Sequence, residues 1–62
     1  MERITGVNGK FLGYMTEDRV RGLIFTPGGQ PLGYYQFSSN TTHTINGTLI
    51  GRGDQRMRLL PR

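Results

Sequence analysis

The chain has 62 residues and a mass of 7.0 kDa, so it forms one domain at most, and folding at this size hides only about 60% of the surface that the unfolded chain exposes. Cysteine is absent, and the one histidine (His43) and four acids (Glu2, Glu17, Asp18, Asp54) are scattered, which excludes a disulfide framework and any zinc or calcium ligand motif. Eight Lys or Arg against four acids give a formal charge of +4 and favour anionic partners, while three Tyr, three Phe and 34% hydrophobic content speak against a disordered chain.

In chain order, Met1 to Gly6 lacks the apolar stretch of about 7–15 residues that a secretory leader needs, and no run is long enough to span a membrane. A cytoplasmic protein without a membrane partner is expected. Alternating apolar and polar residues then predict strands at about Arg3 to Val7 and Lys10 to Met15, joined at Asn8-Gly9. A polar turn, Thr16-Glu17-Asp18-Arg19, leads to strands at about Val20 to Phe25 and Gln30 to Phe37, joined at Gly28-Gly29. Pro27 and Pro31 put the tip of that hairpin at an edge, since proline cannot donate to a ladder. After Ser38-Ser39-Asn40-Thr41 come strands at about Thr42 to Ile45 and Thr48 to Arg52, joined at Asn46-Gly47. The basic tail, residues 54–62, fits either one helical turn with Asp54 as N-cap or a last strand, and Pro61 ends both. The fold class is therefore all-β: an antiparallel meander of about six short strands in three hairpins, at about residues 3–15, 20–37 and 42–53.

The hairpins are copies of one unit. Ile4 to Tyr14 (ITGVNGKFLGY) matches Ile24 to Tyr34 (IFTPGGQPLGY) at a shift of 20, with identities at Ile4/Ile24, Gly9/Gly29, Leu12/Leu32, Gly13/Gly33 and Tyr14/Tyr34. Thr42 to Arg52 (THTINGTLIGR) follows 18 further on and keeps Asn46-Gly47, apolar Leu49-Ile50 and Gly51. Two-residue turns with positive φ at both central positions pair Val7 with Lys10, Thr5 with Leu12 and Ile4 with Gly13. The same register sets Ile24 opposite Gly33 and, less favourably, Thr42 opposite Gly51. Strand parity then puts Leu12 and Tyr14 on one face and Phe11 and Met15 on the other, and splits Tyr34 from Tyr35. A sheet apolar on both faces and too small for a sizeable core predicts homo-oligomerisation, with another subunit completing the sheet.

The units Asn8-Gly9-Lys10-Phe11-Leu12-Gly13-Tyr14 and Gly28-Gly29-Gln30-Pro31-Leu32-Gly33-Tyr34-Tyr35 resemble the hairpins of small bacterial β-repeat proteins such as the four-fold β-flower domain. The resemblance covers most of the chain, implies a fold, and carries no catalytic residue with it.

Catalytic motifs are weak. Ser38, Ser39 and His43 lie within six residues, but no scaffold for a nucleophile, base and oxyanion hole surrounds them. Glu17 and Asp18 read as turn acids, and Gly51-Arg52-Gly53 begins a dinucleotide fingerprint without its third glycine. Arg52-Gly53-Asp54 spells an integrin tripeptide, and Asn40-Thr41-Thr42 and Asn46-Gly47-Thr48 are sequons; without an export signal all three read as loop residues. Charge says more. Arg52, Arg56, Arg58 and Arg62 crowd the C-terminus, and Arg19 and Arg21 flank Val20. With the tail extended, Arg56 and Arg58 present their guanidinium groups from one face while Met57 and Leu59 pack on the other.

The expectation is a non-enzymatic binding module without a cofactor. Arg52, Arg56, Arg58, Arg19 and Arg21 bind an anion, nucleic acid or a nucleotide-like ligand, and Tyr14, Tyr34 and Tyr35 stack on it. Two alternatives fit the same residues: an inhibitor or accessory protein of phage or mobile-element type acting on a host protein, and an enzyme whose site is shared between protomers.

Overall fold

The computed structural model describes residues 1–60; Pro61 and Arg62, named above as the end of the tail and part of its charge, lie outside the described residues. Six antiparallel strands form one sheet in chain order: β1 (Glu2–Thr5), β2 (Phe11–Glu17), β3 (Arg21–Phe25), β4 (Pro31–Gln36), β5 (Thr41–Thr44) and β6 (Leu49–Arg52). Short polar connections leave each strand no neighbour to join but the one before it, and a meander results. A 3₁₀ turn, Arg56–Leu59, follows, so the tail takes the helical alternative, with Gln55 rather than Asp54 at the cap position.

The three hairpins close in the same way. Gly6 N–H donates to the Lys10 carbonyl (2.7 Å) and Gly9 N–H to the Gly6 carbonyl (3.0 Å); Thr26, Gln30 and Gly29, then Thr44, Thr48 and Gly47, repeat both bonds. Only the glycine of each turn dipeptide has positive φ (Gly9 76°, Gly29 89°, Gly47 92°), while Asn8, Gly28 and Asn46 do not. The expected pair of positive φ values is thus replaced by a three-residue loop ending in a left-handed glycine, a common hairpin solution that includes a bulge.

That bulge decides which residues share a face. Ile4 faces Gly13, Ile24 faces Gly33 and Thr42 faces Gly51, as the repeat predicts; one step nearer the turn, however, Thr5 faces Phe11, Phe25 faces Pro31 and His43 faces Leu49. Leu12, Leu32 and Ile50 are the extra residues, one per repeat, and the expected Thr5–Leu12 pair does not form. A bulge shifts the parity of everything beyond it. Leu12 consequently packs with Met15 against Ile4 and Ile24, while Phe11 meets Tyr14 on the other face, the reverse of the simple alternation. Pro31 is accommodated as the first residue of β4, at the bulge, so the second hairpin supplies the two central strands and not an edge.

The core lies on one face and is roofed by the tail. Ile4, Ile24 and Leu60 are buried, with Leu12, Met15, Leu32 and Leu59 against them. The tail lies flat because the sheet beneath it is paved with glycine. A methyl on Gly51 would come 2.6 Å from Gln55 Nε2, one on Gly33 2.6 Å from Leu59 Cδ1, one on Gly13 3.3 Å from Leu60 Cδ2, and one on Gly22 would overlap the Arg56 guanidinium. Within the chain, its own C-terminal segment covers one face of the sheet. Thr42 explains why the third repeat departs from Ile4 and Ile24. It is fully buried, and its hydroxyl donates to the Gly53 carbonyl (2.7 Å) and accepts from Gln55 N–H (2.9 Å), pinning the start of the tail to β5. Isoleucine there would strand both backbone groups.

Candidate functional site

With the tail on one face, the other remains open, and ladder partners define what it carries. One row runs Arg3–Tyr14–Phe25–Pro31, the next Thr16–Leu23–Tyr34–His43–Leu49, and the third Arg21–Gln36–Thr41–Arg52. Phe11 joins the first row through the bulge. Its ring meets Tyr14 edge-on at 4.9 Å between centroids, and the Arg3 guanidinium sits 4.0 Å above its own centroid. Tyr34 and His43 lie nearly parallel, 19° apart with centroids at 5.2 Å, and the Arg21 guanidinium is 5.5 Å from the Tyr34 ring. None of these rings is buried.

The face is electrostatically one-sided. Arg3, Arg21 and Arg52 stand on it, and no strand position on it holds an acid. Glu2 is opposite Met15 and Glu17 opposite Gly22, both on the tail-covered side. Asp54 is held there too: its Oδ1 accepts from Arg56 Nε (2.9 Å) and its Oδ2 from Arg56 Nη2 (2.8 Å). Those charge-assisted bonds hold the Asp54 carboxyl below the usual carboxylate range and raise the Arg56 pKa. Asp18 closes the β2–β3 turn, accepting from the Arg21 and Val20 N–H groups at 2.8 and 2.7 Å, and these two bonds lower its pKa.

The residues singled out in the sequence therefore separate. Tyr14, Tyr34, Arg21 and Arg52 come together on the open face. Arg19 is exposed in the turn beside Arg21, and Arg58 is exposed on the tail with Nη1 donating to Gln55 Oε1 (2.5 Å). Arg56 does not present its charge outward: it is only 3% exposed, lies over Gly22, and also donates to Glu17 Oε2 (2.9 Å). A 3₁₀ turn instead of a strand brings Arg56 inward beside Leu59 and Leu60. Tyr35 is on the covered side as well, its hydroxyl donating to Asn40 Oδ1 (2.6 Å) and its ring against Phe37. Arg3 and Phe11 join this face although the sequence does not mark them as candidates, and His43, considered there only as a catalytic base, joins it as a ring stacked on Tyr34. Arg3 was within reach, since the register that pairs Ile4 with Gly13 also pairs Arg3 with Tyr14. Phe11 was not, because only the bulge moves it across.

His43 is part of a short polar chain: Ser39 Oγ lies 2.6 Å from Thr41 Oγ1, which lies 2.9 Å from His43 Nε2. Its Nδ1 is buried without a partner, so no carboxylate orients the imidazole as acyl-transfer chemistry requires. Of the integrin-like tripeptide, Asp54 is engaged by Arg56. A separate cleft of about 260 Å³, lined by Met1, Glu2, Met15, Thr16 and Glu17, opens beside β1 and β2. Among the described residues, no three His, Asp or Glu side chains gather as metal ligands, and no helix is long and apolar enough to cross a membrane. No family model, curated protein or solved structure matches the chain, so the likeness to β-flower hairpins rests on the repeated residues alone.

Proposed function

We propose that this chain is a non-enzymatic binding module whose open sheet face takes an anionic ligand bearing aromatic rings, with nucleic acid the best fit. One observation carries the reading: Arg3, Arg21 and Arg52 share that face with Tyr14, Phe11, Tyr34 and His43, and every strand acid points the other way. Guanidinium groups supply the fork that phosphate oxygens match, and the rings supply stacking surface. Arg19 lies at the rim, where it adds attraction without a fixed geometry. The face is tested by fluorescence anisotropy with a labelled oligonucleotide at low and moderate salt. Binding that weakens steeply with salt, and weakens further in Arg21→Ala/Arg52→Ala, supports it; no detectable binding at low salt refutes it.

Self-association belongs to the same proposal, on different support. Among the described residues, β1 and β6 each pair on one side only, and three apolar side chains are buried. A homo-oligomer built edge to edge would lengthen the sheet and its basic face together. Sedimentation over a dilution series tests this, and a monomer at every concentration rules it out. A cytoplasmic location fits a chain without cysteine.

A further inference from the structure

We infer that the ligand of the open face is a single strand of nucleic acid with unstacked bases, crossing the strands from Tyr14 to Tyr34 and occupying about four nucleotides per protomer, the short end of the range for single-strand-binding β folds. The inference rests on the reading just given and narrows it. Tyr14 is on β2, opposite Phe25, and Tyr34 is on β4, opposite Leu23. The two tyrosines are thus two strand spacings apart and offset by two residues, roughly 12 Å at about 4.8 Å per strand and about 3.4 Å per residue. Stacked nucleotides advance by about 3.4 Å, so neighbours in a stack cannot reach both rings. Two bases that are not neighbours can, with Leu23 and Phe25 forming an apolar floor for what lies between them.

The cations fit the same path. Arg3 is paired with Tyr14 in the first row with its guanidinium over the adjoining Phe11 ring, and Arg21 lies near Tyr34 from the third, so a cation stands near each end of the path for a phosphate. A duplex does not suit this surface. The major groove, about 12 Å wide, admits a helix or a two-stranded ribbon, and the sheet is six strands, roughly 24 Å, across. Open sheets that read unpaired bases by stacking them on strand aromatics are the general physical precedent.

The test is anisotropy with labelled oligothymidines from about two to about twelve nucleotides, and with a duplex of matched length, at low salt. The expected result is a rise in affinity up to about four nucleotides and a preference of about tenfold or more for single strand over duplex. Tyr14→Leu and Tyr34→Leu keep the apolar packing and remove the aromatic face; each is expected to lose about tenfold in affinity with an unchanged salt slope. Arg21→Ala flattens the slope, and Tyr35→Phe, on the covered face, changes nothing. Equal affinity for duplex, or leucine variants that bind as the parent does, overturns this inference and leaves the broader anion-binding reading standing. Failure to bind any oligonucleotide, with circular dichroism showing a folded sheet, overturns both.

Discussion

Replacing Gly33 with alanine tests the glycine paving on which the fold rests. Gly33 lies between Ile24 on β3 and Thr44 on β5, directly beneath Leu59. A methyl at this position would stand 2.6 Å from Leu59 Cδ1 and 3.1 Å from Thr44 Cα, and would overlap the His43 carbonyl oxygen. Leu59 can rotate away, but the β5 backbone can yield only by loosening its ladder to β4. Overpacking of this kind costs about 1–3 kcal/mol, a large part of the roughly 3–9 kcal/mol expected for a chain of this length. The melting temperature is expected to fall by roughly 5–20 °C, read by far-ultraviolet circular dichroism with a urea titration alongside. Gly28→Ala is the control: its nearest neighbour is Thr26 Oγ1 at 3.8 Å and its φ is not positive, so it is neutral or slightly stabilising. The double variant Gly33→Ala/Leu59→Ala separates the two obstacles, because trimming Leu59 relieves the tail and leaves the carbonyl in place. If Gly33→Ala melts with the parent, or if trimming Leu59 restores it fully, the backbone is not the barrier and the reasoning fails.

Arg56→Met keeps the buried stem and removes the charge. Because Glu17 and Asp54 are 61% and 44% exposed and rehydrate, the loss is about 1–2 kcal/mol by urea unfolding, with oligonucleotide affinity unchanged. Thr42→Val is isosteric but strands the Gly53 carbonyl and the Gln55 N–H; about 2 kcal/mol is lost, and the Gln55 amide exchanges faster in a hydrogen-exchange measurement. Acid weakens the fold through Asp54. Its carboxyl is depressed by the Arg56 hydrogen bonds, so the unfolded chain takes the proton first; the stabilisation is complete above the unfolded pKa of about 4 and is lost as pH falls through the lower folded value. Asp18, lowered by the Arg21 and Val20 N–H groups, acts in the same direction. A urea midpoint that stays constant below about pH 4, or an acid limb that Asp54→Asn leaves unaltered, contradicts this.

The sequence by itself determined the strands, their order and three of the pairings. Turn chemistry is local: a glycine that ends a tight loop and an apolar residue before a second glycine mark each hairpin wherever they occur, and the 20- and 18-residue repeat carries Ile4–Gly13 over to Ile24–Gly33 and Thr42–Gly51. Tyr14, Tyr34, Arg21 and Arg52 were likewise recognisable as candidates from residue type. What only the tertiary structure decided is which face the tail covers, and that Phe11 rather than Leu12 shares the open one. A single extra residue at Leu12, Leu32 and Ile50 reverses the parity beyond it, and no property of those side chains alone announces the reversal. The tail shows the same limit. Arg56 reads as a surface charge until Gly22 provides the space, Thr42 the anchor, and Glu17, 39 residues away, a second carboxylate. Those partners meet only when the sheet has formed, so the burial of Arg56, and with it the exposure of the opposite aromatic face, belongs to the fold as a whole.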